Sequence, residues 1–227
     1  MIRISICFLV FLLAGCRPEP IEGGKEIARE AQLRKVQRIT PDQLFGEAFF
    51  AGDTITKLAS KMQLSRVKKA LEESGVAEAL KFCHQSNNPT LDSLLEKYGA
   101  TMQRVSQRPR NPGHQPKGQT AQLLDAYHYN AENGLPLEPN VQETDNGDFI
   151  YTKAITISDE ACLKCHGEAG KDISVEDAAA IAAAYPTDKA TGYKLGDLRG
   201  MWQINLNREA LARNFALKQQ KKKRRQK

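Results

Sequence analysis

Two cysteines and a histidine, at positions 162, 165 and 166, form the most constraining segment of this chain. Two thiols three residues apart on a helical turn can each form a thioether bond to one vinyl group of a haem. The adjacent histidine then lies beneath the iron as its proximal ligand. The alternative is a thiol-redox or zinc-binding pair that happens to precede a histidine. We therefore predict one covalent haem c, held by Cys162, Cys165 and His166.

The N-terminal segment indicates export and lipid attachment. Residues 4–13 form an apolar run, which is shorter than the ~20 residues of a membrane-spanning helix. Arg3 supplies the positive flank of a secretory signal. The sequence LAGC at 13–16 resembles the lipobox of bacterial lipoproteins, which implies cleavage before Cys16 and lipidation of its sulfur. An ordinary signal peptide and an uncleaved anchor are the alternatives.

This interpretation places the mature chain on the periplasmic side of a bacterial membrane, held by its N-terminal lipid. Arg17 stands where lipoproteins retained at the inner membrane often carry aspartate, which favours the outer membrane. Export also suits the motif at 162–166, because haem c is attached outside the cytoplasm. With Cys7 in the signal and Cys16 lipidated, three cysteines remain. This odd number does not indicate a disulfide framework.

The composition is that of a soluble globular protein. Of the 227 residues, 41% are apolar and 26% charged, which excludes a polytopic membrane protein, a collagen-like fibre and a wholly disordered chain. The net charge of +6 does not indicate nucleic-acid binding, because seven basic residues lie in the last ten positions. Residues 16–217 carry 25 basic and 27 acidic side chains, so the body has no duplex-binding footprint. We expect a solvated tail over 218–227, with anionic lipid as its alternative partner.

Helices dominate the N-terminal half of the predicted fold. Thr40, Pro41 and Gln43 form a helix start, and apolar residues recur at helical spacing from 44 to 62. A second helix is predicted over 66–84, in which Cys83 shares an inward face with Val76 and Leu80. Further helices are predicted over 91–98, 120–133 and 175–184, and from 207 onward.

Strands are predicted over 101–106, 149–157 and 198–206. A hairpin turn is expected at 145–148, where Asn-Gly tolerates positive φ angles. Residues 108–118 are rich in Pro and Gly and should form a loop. Helices around a few antiparallel strands indicate an α+β fold. The predicted organisation is a signal at 1–15, a tether running into a helix at 16–40, a domain at 41–217 and the basic tail.

The residues alone leave the sixth ligand of the iron open. Met201 follows the motif but lies in a strand-like run beside Trp202, where packing explains it, and core positions explain Met62 and Met102. His114 lies in the loop and His128 on a helix, where surface or packing roles are common. Cys83 faces inward and has no disulfide partner left, although an inert buried thiol accounts for it equally well.

Several motifs together resemble a bacterial family of haem-c-binding, PAS-like domains. They are YPTDKATGY at 185–193, GDLRG at 196–200, RNP at 110–112 and CLKCHG at 162–167. The resemblance covers residues 65–206 in the right order. Members stand alone or form extracytoplasmic sensor regions of histidine kinases. The family implies a PAS-like antiparallel sheet with long N-terminal helices and a covalently bound haem c.

The resemblance also implies a sixth ligand, because in that family a cysteine of the N-terminal helical part completes the coordination of the iron. Cys83 stands at the matching place, and His84 beside it offers a competing ligand. A thiolate stabilises ferric iron, so such a pair has a low potential, whereas a Met ligand would raise it. Loss of the cysteine on reduction or on gas binding would make a two-state element.

Four further residues are candidates for contacts with the haem. Arg108, Arg110 and Arg199 are natural partners for the two propionates, although each is equally credible as a solvated surface residue. Tyr193, like Tyr185, could line the haem edge, and core packing explains both equally well.

Together these observations predict a redox or small-gas sensor rather than an enzyme. The chain carries no kinase or cyclase region, so a signal would pass to another protein. The first alternative is a low-potential electron-transfer cytochrome with Met or His as sixth ligand and a redox partner. The second is a peroxidase-like enzyme, which needs an open iron position.

Overall fold

The computed structural model describes residues 23–24, 26–27, 39–83 and 88–225, with the backbone alone at Cys83. The chain divides into two units, Met1–Arg38 and Ile39–Lys227. In the first unit, the N–H groups of Glu26 and Ile27 donate to the Gly23 carbonyl in a helical turn. The predicted signal and Cys16 lie outside the described residues. No helix within the described ranges has the length and apolar character to cross a membrane.

The second unit begins with a long helix, α1 (Pro41–Ala79). Its start follows the sequence prediction: the Gln43 N–H donates to Thr40 Oγ1, and the Gln43 side chain accepts from the Thr40 N–H. This capping box satisfies two backbone donors that a helix terminus leaves unpaired. The apolar face predicted from residue 44 onward is buried, so α1 packs along the domain.

The far end of α1 differs from the two separate helices that the sequence predicts. The helix passes without a boundary through residues 63–65 and is interrupted at Gly75, whose φ of 78° lies in the left-handed region. Glycine adopts this conformation without the steric cost of a Cβ atom. A 3₁₀ turn, Leu80–Cys83, follows. The α-helical spacing behind the predicted inward direction of Cys83 therefore does not continue through this turn, and the Cys83 side chain lies outside the described residues.

Four antiparallel strands form one sheet, in the order β1-β4-β3-β2. They are β1 (Thr101–Val105), β2 (Asn140–Glu143), β3 (Phe149–Thr156) and β4 (Leu198–Leu206). β3 and β4 are the central pair, with Phe149 opposite Leu206. β2 is the arm that the predicted hairpin turn joins to β3.

The remaining helices surround this sheet, which confirms the predicted α+β class. They are α2 (Pro89–Lys97), α3 (Gln119–Glu132), α4 (Glu160–His166), α5 (Val175–Ala184) and α6 (Arg208–Arg225). A 3₁₀ turn, Pro112–His114, lies within the predicted loop. Of these, α4 carries the predicted haem motif.

The side chains of the sheet alternate between two cores, as antiparallel strands require. On one face, Tyr151 and Trp202 pack with the apolar residues of α1 and with Leu211 of α6. On the other face, Ile150 and Met201 pack with α3. A third, smaller core joins the end of α1 to α4 and α5. The helix α1 thus contributes to two of the three cores.

The sequence predicts a solvated tail over 218–227, and the structure places residues 221–225 on a helix with their side chains exposed. Helix α6 continues through them to Arg225. Lys218 Nζ lies 2.7 and 2.9 Å from the two carboxylate oxygens of buried Glu47. Because burying an unpaired carboxylate is costly, this long-range pair favours the helix over a disordered tail. Sequence periodicity does not reveal a partner 171 residues away.

The close contact between Gly52 and Tyr151 should make the stability of the domain sensitive to substitution of Gly52. A methyl group at Gly52 would overlap the Tyr151 ring, whereas Gly46 on the same helix has open space around it. Gly52→Ala is expected to lower the free energy of unfolding by about 2 kcal/mol through overpacking. Gly46→Ala should raise it by up to ~1 kcal/mol through helix propensity. Urea unfolding of both variants tests this, and equal effects would contradict the packing.

Candidate functional site

The motif at 162–166 lies on a short helix, α4, that begins at a well-defined cap. Asp159 is its N-cap, and the Ala161 N–H donates to Asp159 Oδ1 at 3.0 Å. Lys68 of α1 pairs with the same carboxylate, with 2.6 Å between Nζ and Oδ2. The sequence analysis did not single out Asp159, although an Asp immediately before a helix is a recognisable capping signal. The pair ties the start of α4 to α1.

A cavity of about 330 Å³ opens beside α4. Its walls come from α1 between Ser60 and Val67, from the facing parts of β3 and β4, and from α4 itself. The end of β1, the loop that follows it as far as His114, and Tyr185 complete the wall. Cys162, Cys165 and His166 all line it. A cavity of this size falls in the range of ligand-binding sites. The structure therefore brings the three motif residues together at one concave site.

Hydrogen bonding determines which nitrogen of His166 can bind a metal. His166 Nδ1 lies 2.7 Å from the Ala190 carbonyl oxygen, which can only accept. Nδ1 therefore carries the proton and donates it, so the Arg199 Nε–H, 3.4 Å from the same nitrogen, is a neighbouring cation rather than a donor to it. The lone pair of Nε2 remains for coordination. A backbone acceptor at the other ring nitrogen is the usual support of a metal-ligating histidine.

The surroundings of His166 also keep its ring neutral. Burial lowers the pKa of the imidazole well below its usual value, and the positive charges of Arg199 and Arg110 lower it further. Tyr193 stands edge-on to the ring at 6.3 Å between centroids. Its N–H donates to the His166 carbonyl at 2.8 Å. The histidine is thus fixed in position and in protonation state.

Arg110 is the most deeply buried of the three candidate arginines, with 7% of its surface exposed. Its Nη2 pairs with Asp188 Oδ2 at 3.1 Å and donates to the Cys165 carbonyl. Its Nη1 is buried and makes no hydrogen bond. Arg110 lines the cavity, so an unsatisfied donor belongs to its wall. Asp188 lies within the segment at 185–193 on which the family resemblance rests.

The other two arginines have different positions. Arg199 lines the cavity, and its Nη1 donates to Ser106 Oγ at 2.7 Å. Arg108 is absent from the cavity wall: it lies over the Tyr193 ring at 4.3 Å and donates to the carbonyls of Lys189 and Thr191. Tyr193 does not line the cavity either. These two residues lie at the loop behind His166, outside the cavity wall.

The alternative sixth ligands differ in whether they line the main cavity. Met201 lies on the sheet face that packs against α3, away from the cavity. Met62 and Met102 line a smaller pocket of about 40 Å³ instead. Among the described alternatives, His114 alone lines the main cavity, and His128 does not. His84 lies outside the described residues.

The smaller pocket lies next to the main cavity and is lined in part by the residues that flank Cys83. Phe82 and Asn88, which flank residues 83–87, both line it. It shares Gln63, Arg104 and Trp202 with the main cavity. The backbone immediately before Cys83 therefore lies beside the site.

The ion pair at the start of α4 generates a pH-dependent prediction. Lys68, and then the Ala161 N–H, lower the pKa of Asp159 below its usual value of 3.8. A lowered pKa stabilises the folded protein above the ordinary value, and this contribution is lost as the pH falls through the folded-state value. Asp159→Asn keeps a capping residue but loses the charge. It should lower the melting temperature at neutral pH, with the difference shrinking in acid.

Asp145→Asn is the matched control, because Asp145 is exposed in the hairpin turn. Thermal unfolding between neutral pH and about pH 3 compares the two variants. A deficit of Asp159→Asn that stays constant across this range would contradict the ion pair.

Comparisons with known proteins agree with this fold. The Tll0287-like family model matches residues 30–207, a range that contains all the motifs behind the family resemblance. No match is found among curated proteins. The crystal structure of the cyanobacterial heme-protein Tll0287 superposes with a TM-score of 0.51 at 22% identity, covering 74% of this chain and 97% of that chain. At this identity the structural likeness concerns the fold, whereas the family match spans most of the sequence: the chain belongs to the Tll0287-like family.

Proposed function

We propose that this protein binds one haem c covalently, with thioether bonds to Cys162 and Cys165 and with His166 as the proximal ligand. The observation that carries the proposal is the arrangement of these three residues on one cavity, with the Nδ1 proton of His166 held by Ala190. The likeness to a heme-protein structure supports it. In this account the protein is a redox or small-gas sensor and not an enzyme.

The cavity suits such a group in two respects. It offers a neutral imidazole nitrogen and two thiols on one short helix. The buried Arg110 Nη1 lacks an acceptor within the described part of the chain, and a propionate would supply one.

The side chains around the site would affect a bound haem in two ways: by their positive charge and by holding the loop that orients His166. Bound haem supplies a one-electron couple and, where a coordination position opens, a site for a diatomic gas. Arg110 and Arg199 place two positive charges on the cavity wall, although Asp188 offsets that of Arg110. Arg108 and Tyr193 hold the loop that carries the Ala190 carbonyl. Because these residues hold His166 in place, a change of iron ligation would take place on the side opposite His166.

We assign the distal position to Cys83. The pocket that Phe82 and Asn88 line shares Gln63, Arg104 and Trp202 with the cavity, and this proximity supports the assignment. A thiolate ligand favours ferric iron and a low potential. Val76 and Leu80, between the Gly75 interruption and Cys83, pack with Cys165. Dissociation of Cys83 from the iron would release the segment between Gly75 and Cys83 first. A change in the position of this segment would then be the signal that a partner detects.

A second candidate is electron transfer with His114 as sixth ligand. The placement of His114 on the cavity wall favours it. Two imidazoles would give a spectrum without thiolate features and little change of ligation on reduction. The two candidates therefore make opposite predictions for variants of Cys83 and His114.

The cellular setting of the proposal comes from the N-terminal sequence. Lipidation of Cys16 would hold the protein at the periplasmic side of a bacterial membrane, with the outer membrane favoured by Arg17. A signalling protein or redox partner would receive the output there. No nucleic acid is expected to take part.

Spectra of Cys83→Ala and His114→Ala test the distal ligand. The protein is produced in a host that attaches haem c, and ferric and ferrous spectra are recorded. Cys83→Ala should abolish the low-spin thiolate features and raise the potential, whereas His114→Ala should leave both unchanged. The reverse pattern would assign electron transfer with His114. His84→Ala is the control for the neighbouring ligand, and its spectrum should match that of the unaltered protein.

The potential should also respond to the charge at Arg199. Removing a positive charge from the cavity wall favours the ferric state, so Arg199→Gln should lower the potential by about 50 mV, from the Coulomb energy at intermediate dielectric. Lys194→Gln removes an exposed positive charge outside the cavity wall and should shift the potential much less. Redox titration of both variants checks this, and equal shifts would place the haem elsewhere.

A further inference from the structure

The C-terminal end of α6 carries an exposed basic surface that the haem site does not use. Residues 221–225, with the sequence KKKRR, are helical and exposed. Within residues 39–83 and 88–225, none of these five side chains forms an ion pair. Five adjacent cations without counter-charges repel one another. Their retention on a folded helix points to an external anionic partner.

Exposed apolar side chains border this basic surface. Phe50 is 52% exposed and Leu217 47%. Lys218 Nζ lies 3.8 Å from the centre of the Phe50 ring, which joins the two helices at this point. Leu217 shares a helix face with Lys221 and Arg224, at i+4 and i+7. The patch therefore combines basic groups with an aromatic and an aliphatic side chain, the combination typical of segments that bind in the membrane interface.

The helix is fixed to the domain where the patch begins. Lys218 is paired with Glu47, which also accepts a hydrogen bond from the Tyr98 hydroxyl at 3.3 Å. One turn earlier, the Asn214 side chain donates to the Lys97 carbonyl at 2.7 Å. The basic residues consequently extend from an anchored base, and binding through them would require little further ordering of the chain.

We propose that residues 217–225 of α6, together with Phe50, form a docking surface for an anionic phospholipid membrane. The basic side chains would contact the headgroups, and Phe50 and Leu217 would enter the interface. The proposal is independent of haem binding. It adds a second membrane contact to the N-terminal lipid, and one acyl signal with a polybasic patch is a combination that gives stable anchoring.

Vesicle flotation of the full chain tests the surface. Vesicles of phosphatidylcholine alone are compared with vesicles that also contain phosphatidylglycerol, and every variant keeps the same N-terminal residues. Each Lys or Arg near an anionic surface strengthens binding about fivefold. Replacing residues 221–225 by Gln should therefore weaken binding to the anionic vesicles by about a hundredfold or more. Raising the salt to about 0.5 M should weaken binding of the unaltered chain similarly.

A matched variant loses the same charge elsewhere. It replaces five exposed lysines outside the patch by Gln: Lys61, Lys69, Lys117, Lys171 and Lys194. This variant should bind the anionic vesicles within a fewfold of the unaltered chain. A third variant, Phe50→Ser with Leu217→Ser, should bind about tenfold more weakly with an unchanged salt dependence. That result would separate the apolar contribution from the electrostatic one.

Three results would overturn the proposal. Equal binding to neutral and anionic vesicles would remove the electrostatic basis. Equal losses in the two five-residue variants would show a general charge effect rather than a surface. Binding to a soluble acidic polypeptide such as polyglutamate, with none to the vesicles, would assign the surface to an acidic protein instead.

Discussion

The contact of α1 with the sheet is the packing on which the rest of the structure depends. Gly52 leaves just enough room for the ring of Tyr151, so the helix can lie close against β3. The same helix then continues to Lys68, which holds the cap of α4, and its second half lines the cavity. The close approach of α1 to β3 at Gly52 thus shapes the main core, and the same helix forms one wall of the cavity.

The residues around His166 and Cys165 are linked by hydrogen bonds to backbone carbonyls and by one ion pair. The Ala190 carbonyl orients His166, and Arg110 binds the Cys165 carbonyl while Asp188 neutralises it. Such networks are stable only when their buried members are satisfied. Among the described residues of this network, Arg110 Nη1 is buried without a hydrogen-bond acceptor, which leaves a place for the acceptor of a bound group.

Much of the fold and of the candidate site could be predicted from local sequence signals. The capping box at Thr40, the hairpin turn, the strands β3 and β4 and the motif of α4 all depend on neighbouring residues. The passage of α1 through residues 63–65 and the helical end of α6 could not be predicted in this way. The first depends on tertiary packing, and the second depends on the pairing of Lys218 with the distant Glu47. The three arginines look alike in sequence. Only the course of the loop at 188–193 separates Arg108, which supports it, from Arg110 and Arg199, which line the cavity.

The mass and the alkaline pyridine spectrum of the protein test covalent haem attachment at α4. The chain is produced in a host that attaches haem c, beside a variant with Cys162→Ser and Cys165→Ser. We expect one haem per chain that survives denaturation, with a c-type spectrum, and none in the variant. A chain without haem, or with haem that is extracted equally from both proteins, would contradict it.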